Sequence, residues 1–493
     1  MQDRPNILLV TTDQHRGDCM GIAQSEHPVM TPHMDQLARE GVRFDRAYSD
    51  CPMCIPARKT IMTGRAAYSH GVAKNAAVPM PEEPRLTLPG KLTSEGYQTH
   101  AAGKMHFHPS RARSGFERMR LHPDDYVNWL EKTPHAGTYR GHGLGGNEVY
   151  PTYSAQPAEY THTHWIVEES IDFLRQRDPG APFFLWTCFE SPHTPYDPPE
   201  SFVRYYDGVD IPKPASGAWS ASEEEVPYWM QIQRWMHKFD LLPEHVVQSA
   251  RKHYYASLTH IDYELGRLFG ELKMQGLWEN TIILFTSDHG DMLGDHGLFQ
   301  KTCFYDPSAR VPFLLRLPAH LRGGSLPGSR IHEAVQLADI YPTLLGLAGC
   351  SASDDGDGGA ARDGLNLMSL LGQSLTQERW VFGYSDVQDG MYMATNGEWK
   401  YLYYVCGGRE QLFHVDVDPA ERDNLSGHAD HAEMLAAGRS RLAERFPELA
   451  GTPAEPRSAS GFIMTVPPGA DEHEVRSNNP FAWKGPMRYG SGH

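Results

Sequence analysis

The first two-thirds of the chain alternates apolar runs with amphipathic segments, and this alternation predicts alternating strands and helices. Extended apolar runs, typical of buried strands, occur at 7–11, 97–102, 183–188, 282–285 and 312–315. Helical spacing of apolar residues is present at 34–40, 88–95, 161–177, 244–275 and 338–347. The order of these segments predicts an α/β fold, with a large, mostly parallel central sheet sandwiched by helices.

Beyond about residue 375 the pattern changes to short extended runs followed by one helical segment. The runs lie at 381–384, 391–395, 400–405 and 411–415, and the helical spacing covers 432–445. This part predicts a smaller C-terminal antiparallel sheet with a packed helix. We therefore predict a catalytic α/β domain over 1–375, a small α+β subdomain over 376–451 and an extended tail over 452–493.

The predicted tail is rich in Pro, Gly and Ser but also carries aromatic residues, among them Phe481 and Trp483. A solvated tail has little use for such side chains, so we expect it to pack against protein. Docking on a neighbouring subunit, which would make a homo-oligomer, is one interpretation. Packing against its own subunit is the other, and the sequence leaves both open.

Charge and cysteine usage narrow the partners and the compartment. The chain has 45 basic and 62 acidic residues and a net charge of −17, which argues against nucleic acid as a partner. The apolar stretch at 6–10 is too short for a secretory or membrane segment, so no membrane association is expected. Seven cysteines without framework spacing are typical of a reducing compartment, and we predict a cytoplasmic protein with a small substrate.

The run from Cys54 to Arg65, Cys-Ile-Pro-Ala-Arg-Lys-Thr-Ile-Met-Thr-Gly-Arg, is the most informative motif. Proline tolerates the first turn of a helix and Gly64 is a plausible stop, so Cys54 is expected at a helix N-terminus, which favours an anion. Arg58 follows one turn later. A buried structural cysteine, or a redox pair with Cys51, would also satisfy the local sequence.

Cys-x-Pro-x-Arg followed by Thr-Gly resembles the core signature of type I sulfatases, in the alkaline phosphatase superfamily. The resemblance implies that a formylglycine-generating enzyme oxidises Cys54 to formylglycine, whose hydrate is the nucleophile. It also implies that Arg58 neutralises charge on the sulfate.

Two acidic motifs follow predicted strands, Asp13-Gln14 and Asp288-His289. Taken alone, Asp13 could equally cap a helix, and Asp-His-Gly could form a turn. The resemblance implies that Asp13, Gln14, Asp288, His289 and the side chain at Cys54 bind one divalent cation. Family habit favours Ca²⁺, whereas an imidazole ligand suits Mn²⁺, and both stay open.

Five further residues have counterparts with roles in the family: two lysines and two histidines, each of which alone would pass for a surface lysine or a core histidine, and one asparagine. The resemblance implies that Lys104 and His106 hold the sulfate and act on the covalent intermediate. It implies that His193 or Lys301 protonates the departing alcohol, and that Asn75 contacts substrate.

These motifs together predict a sulfatase that hydrolyses a small sulfate monoester, whether aryl, alkyl or sugar sulfate. A phosphonate monoester or phosphodiester hydrolase of the same superfamily is the alternative enzyme, although such enzymes generally lack the counterparts of Lys104 and His106. An unmodified, non-catalytic sulfate-ester binding protein is the alternative of another class. The segment at 124–153 is expected to shape the pocket for the alcohol part.

Overall fold

The structure, a computed structural model, describes residues 4–449 except 82, 223, 325, 351–361, 372–377 and 388–389. The predicted tail at 452–493 and the predicted domain boundary at 375 lie outside the described residues. The docking of the tail and the domain limits therefore stay predictions.

Fifteen strands are present among the described residues. They are β1 (Asn6–Asp13), β2 (Val42–Phe44), β3 (Ala47–Tyr48), β4 (Gln98–Gly103), β5 (Arg118–Leu121), β6 (Phe183–Pro192), β7 (Thr281–Ser287), β8 (Arg310–Val311), β9 (Phe313–Arg316), β10 (Ser329–Ile331), β11 (Val335–Gln336), β12 (Val381–Ser385), β13 (Met391–Thr395), β14 (Trp399–Tyr404) and β15 (Arg409–His414).

The described residues also form thirteen α-helices. They are α1 (Pro32–Glu40), α2 (Cys54–Thr63), α3 (Ala67–His70), α4 (Leu88–Ser94), α5 (Asp124–Leu130), α6 (His162–Gln176), α7 (Glu200–Val203), α8 (Ala218–Ala221), α9 (Tyr228–His237), α10 (Glu244–Met274), α11 (Asp306–Ala309), α12 (Ile340–Leu347) and α13 (Ala432–Arg445). Within the described ranges, none of these helices combines the length and the hydropathy needed to cross a membrane.

The large sheet has eight strands in the order β10-β2-β9-β7-β1-β6-β4-β5. Strands β7, β1, β6, β4 and β5 are parallel to one another, whereas β9 runs antiparallel to β7 and β2. This confirms the predicted α/β fold with a mostly parallel sheet. Because the carboxyl ends of the parallel strands meet at one edge, polar residues that follow them are brought together.

Helices cover both faces of this sheet. One face packs against α6 and α10 with α1 beside α10, while α2, α4 and α12 pack together on the other face. Each side has its own cluster of buried apolar residues, as the uniformly apolar strands predict. Strand β1 is buried along its whole length, including its polar last three residues. The predicted strand stopped at residue 11 because those polar residues break the apolar run.

A separate four-stranded antiparallel sheet, β12-β13-β14-β15, follows in the C-terminal part and packs against α13. This confirms the predicted smaller sheet with one helix. The short helices α7 to α9 and the three-stranded sheet β11-β3-β8 were not predicted. Strands of two residues are too short to show a period, which explains why the sequence did not reveal them.

One buried ion cluster joins the small sheet to the start of α11. Lys400, in β14, is fully buried, and its Nζ contacts both Asp306 and Glu421, the latter at 2.9 Å. The same Nζ donates to the carbonyl of Phe304 at 3.0 Å, and the amide of Asp306 donates to Glu421 Oε2 at 2.6 Å. A buried ammonium is tolerated because two carboxylates and a carbonyl satisfy its three donors.

Candidate active site

Polar residues from four neighbouring strands converge at the carboxyl edge of the large sheet. Asp13 is the last residue of β1, and Asp288 with His289 follows β7. Lys104 follows β4, and His193 follows β6. The sequence therefore predicted correctly that these motifs follow strands, and the strand order places them side by side.

Helix α2 brings its N-terminus to the same place. Cys54 is its first residue and is buried, and Gly64 ends it in the left-handed region with φ 66°, as predicted. No side chain of the preceding residue caps this end. Instead, the amide of Ile55 donates to Asn75 Oδ1 at 3.1 Å. Asn75 thus lies beside Cys54 at a helix terminus that favours negative charge, while its predicted substrate contact stays a prediction.

Four side chains form a compact group of metal-ligating atoms. One ligand atom each from Asp13, Cys54, Asp288 and His289 lies within 4.8 Å of the other three, and all four residues are buried. His289 Nε2 is 3.3 Å from Cys54 Sγ and 3.4 Å from Asp13 Oδ1. Oxygen and imidazole donors at such separations suit a divalent cation between them.

Gln14, also predicted as a ligand, has its amide engaged with other groups. Its Nε2 donates to Asp291 Oδ2 at 2.6 Å, and its Oε1 accepts from Lys301 Nζ at 2.8 Å. Its backbone has a positive φ of 74°, which turns the chain sharply after Asp13. The ligand role of Gln14 stays a prediction, and the structure gives this residue a second one, holding the ammonium of Lys301.

Arg58 is buried and bonds both carboxylates of the metal-ligating group. Its Nη2 is 3.0 Å from Asp13 Oδ2, and its Nε is 3.0 Å from Asp288 Oδ2. Its Nη1 donates to Cys188 Sγ at 2.8 Å and to the carbonyl of Lys104. Burial and the charge of Asp13 raise the pKa of Asp288, so the guanidinium compensates two crowded carboxylates. All these donors are directed at protein atoms, and the predicted role of Arg58 in neutralising charge on the sulfate stays a prediction.

Lys301 and His193 form a hydrogen-bonded pair. Lys301 Nζ is 2.6 Å from His193 Nε2 and 3.4 Å from Cys54 Sγ. His193 Nδ1 is 2.8 Å from the carbonyl of Thr194, which can only accept, so Nδ1 carries the hydrogen. Burial, with Lys301 and Lys104, lowers the pKa of His193. The neutral imidazole therefore accepts at Nε2, and Lys301 holds the shared proton.

Lys104 and His106 complete the predicted set. Lys104 Nζ lies 2.7 Å from Asp13 Oδ2 and 3.8 Å from Glu190 Oε1. His106 is exposed, has a positive φ of 57° and hydrogen-bonds the Cys54 side chain. It is thus the one predicted catalytic group that faces solvent while touching residue 54.

The electrostatics of the site favour an anion at position 54. Burial alone would raise the pKa of the Cys54 thiol, but Lys301, Lys104 and His289 outweigh it and hold that pKa well below its usual range. Burial also works against the charged form of Asp13, yet the same two lysines help to hold its pKa low. The cations that stabilise a thiolate would equally stabilise another charged nucleophile at this position.

Sequence reasoning missed Cys188 and Glu190, two residues at the end of β6 that contact Arg58 and Lys104. Both lie within the run from Phe183 to Pro192, which reads as a strand up to Cys188. Glu190 could have been found, because it is a carboxylate close to the end of a strand that was predicted to lead into the site. For Cys188, an apolar-like residue in an apolar run, no signal was present.

The family model Sulfatase matches residues 5–350, and the model N-sulphoglucosamine sulphohydrolase, C-terminal, matches 294–447. An arylsulfatase of Clostridium perfringens is 35% identical over 88% of this chain and 92% of its own. A choline-sulfatase of Rhizobium meliloti is 31% identical over 89% and 86%. A phosphonate monoester hydrolase of Agrobacterium radiobacter superposes with a TM-score of 0.76 and 26% identity, covering 90% of this chain and 96% of that one. The chain belongs to the sulfatase family, within the alkaline phosphatase superfamily.

Proposed function

We propose that this sulfatase hydrolyses a small sulfate monoester with a formylglycine derived from Cys54 and a divalent cation beside it. The observation that carries the proposal is the position of Cys54. It is the first residue of a helix, it lies among four ligand atoms, and two lysines hold its pKa low. A formylglycine-generating enzyme is the partner that this modification requires.

The residues present fit a divalent cation. Asp13 and Asp288 offer carboxylate oxygens, His289 offers Nε2, and the side chain at 54 completes the group. The guanidinium of Arg58 hydrogen-bonds both carboxylates, so the ligand oxygens are held in place. Ca²⁺ is favoured by the carboxylates and Mn²⁺ by the imidazole, so either ion suits this donor set.

When bound, the cation together with formylglycine hydrate supplies an activated oxygen nucleophile for sulfur. Lys301 contacts residue 54 and Lys104 contacts the neighbouring Asp13, and both neutralise the charge of the sulfate oxygens. Lys301 Nζ and His193 Nε2 lie 2.6 Å apart and share a proton, which the pair delivers to the departing alkoxide. His106 contacts the side chain at 54 from the solvent side and accepts a proton from it.

The test of the proposed reaction is a comparison of kcat/KM on an aryl sulfate and an aryl phosphonate monoester. A sulfate ester has three non-bridging oxygens, whereas a phosphonate has a carbon in place of one. That carbon would leave one cationic donor of Lys104 or Lys301 without a partner, which is costly in a buried site. We expect sulfate to be preferred by roughly tenfold or more, equivalent to about 1.4 kcal/mol.

A phosphonate hydrolase is the second candidate, because the phosphonate monoester hydrolase structure superposes so fully on this chain. Lys104→Ala tests the physical reason for this preference, since it removes one of the two ammonium groups, Lys104 and Lys301, that would contact the sulfate oxygens. The preference for sulfate should shrink in this variant. A wild-type enzyme that turns over the phosphonate faster would contradict the proposal.

Asp288→Asn is expected to abolish binding of the cation at the Asp13 group, because the cluster loses one of its two carboxylates. The bound metal is measured by elemental analysis after dialysis, and the thermal midpoint is recorded with and without chelator. Asp295→Asn is the control, because Asp295 is also a buried carboxylate but pairs with Arg16 outside the cluster. Unchanged activity and unchanged thermal stability after chelation of the wild type would refute the site.

A further inference from the structure

A second group of ligand atoms lies next to the active site but takes no part in the proposed chemistry. His122 follows β5, His162 is the first residue of α6 and Glu190 lies in β6. One ligand atom of each lies within 4.8 Å of the other two. His122 Nε2 is 3.4 Å from Glu190 Oε2, and the two imidazole centroids are 4.9 Å apart.

The two imidazoles have polar atoms that no described protein group satisfies. His122 is only 5% exposed, and neither of its ring nitrogens has a hydrogen-bond partner among the described residues. The Nδ1 atom of His162 is likewise buried and unpaired there. Leaving such groups unsatisfied is costly, and a ligand bound by one nitrogen of each ring would give both imidazoles a partner.

The protonation states suit metal binding. Burial lowers the pKa of His122 to about 3 and also lowers that of His162, so both rings are neutral and carry a free lone pair. Burial would raise the pKa of Glu190, but the permanent positive charges of Lys104 and Arg140 work in the opposite direction, and the pKa lies well below its usual range. The group therefore offers two neutral nitrogens and one carboxylate oxygen.

Glu190 presents its two oxygens to different neighbours. Oε1 lies 3.8 Å from Lys104 Nζ and 3.5 Å from Arg140 Nη2, whereas Oε2 faces His122. Lys104 is shared with Asp13, whose carboxylate is closer at 2.7 Å. Asp13 and the Oε1 atom of Glu190 thus face the nearby cations, and Oε2 stays available on the side of the imidazoles.

We propose that His122, His162 and Glu190 bind a zinc ion at a second site, separate from the Asp13 group. Two imidazoles with one carboxylate form a donor set that zinc takes in proteins, with a fourth position left for solvent. Ca²⁺ suits this set poorly because it prefers oxygen ligands. The ion would fix the orientation of Glu190 and, through Oε1, that of Lys104; only this last consequence rests on the proposed function.

The test measures bound zinc, so it does not depend on sulfatase turnover. The full-length protein is first saturated with Ca²⁺ or Mn²⁺ to fill the Asp13 group, and is then titrated with Zn²⁺ against a competing chelator. We expect one zinc per chain. His162→Ala and His122→Ala should each weaken zinc binding by more than roughly tenfold.

His164→Ala is the matched control, because His164 lies on the same helix but pairs with Glu264 outside the group. It should bind zinc like the wild type. If His122→Ala does not fold, His162→Ala decides, since His162 lies at the start of its helix and is less buried. Wild-type protein that takes up no zinc, or equal zinc binding in His162→Ala and the wild type, would overturn the proposal and leave water as the partner of the imidazoles.

Discussion

Cys54→Ala is expected to lower kcat on a sulfate monoester by on the order of 10⁴-fold or more, with the fold retained. Cys54 is the only side chain that combines the helix N-terminus, the four-atom ligand group and the contact with Lys301 among the described residues. Alanine fits the first turn of a helix, so the backbone need not change. The measurement is kcat on matured protein, with circular dichroism as the check on folding.

Cys51→Ala is the matched control, because Cys51 is also buried, three residues earlier, beside Met53, Ala67 and Ala73. If the pair worked by thiol–disulfide exchange, both variants would lose activity together. The sulfatase proposal expects Cys51→Ala to keep most of its turnover. It also expects the peptide that contains Cys54 to show the mass of formylglycine in active wild-type protein. An intact thiol throughout fully active material would contradict it.

Arg58→Ala is expected to remove activity and to destabilise the protein by roughly 3–5 kcal/mol, the cost of leaving a buried charge uncompensated. The guanidinium bonds Asp13, Asp288 and two further acceptors from a position that is 1% exposed. Arg58→Lys should rescue little, because one ammonium cannot reach acceptors arranged around a planar fork. The thermal midpoint and kcat/KM measure the two effects.

Arg204→Ala provides the comparison for the loss of an arginine as such. Arg204 is exposed, and its one ion pair within the described part of the chain is with the exposed Glu200, one turn away. Its replacement should leave the thermal midpoint close to that of the wild type, because exposed ion pairs contribute little to stability. Arg58→Lys with wild-type turnover would contradict the assigned role, since a simple positive charge would then suffice.

The parts of the site that the sequence predicted are those attached to a strand end or a helix start. Asp13, Lys104 and Asp288 each follow an apolar run, and parallel strands must bring such positions to one edge. The position of Cys54 at the start of a helix was predicted because Pro56 and Gly64 mark the two ends of that helix.

The parts that were not predicted depend on the direction of a side chain in three dimensions. The contacts of Arg58 with Asp13 and Asp288 were not predicted, because they depend on where the side chain is directed from its position one turn into α2. Glu190 and His122 come from different strands, and only the pairing of β4 with both β5 and β6 places them together. Local sequence patterns carry no information on such long-range pairing.

The ion cluster around Lys400 makes the position of the segment that carries Lys301 depend on the C-terminal sheet. Asp306 lies five residues after Lys301, and its carboxylate is neutralised by Lys400 from the small sheet. A chain cut before β12 would lack both Lys400 and Glu421 and would leave the buried Asp306 carboxylate without its cation. The two sheets are therefore not interchangeable modules, and a chimaera with a foreign C-terminal sheet would need a lysine at the position of Lys400 to hold the segment that carries Lys301.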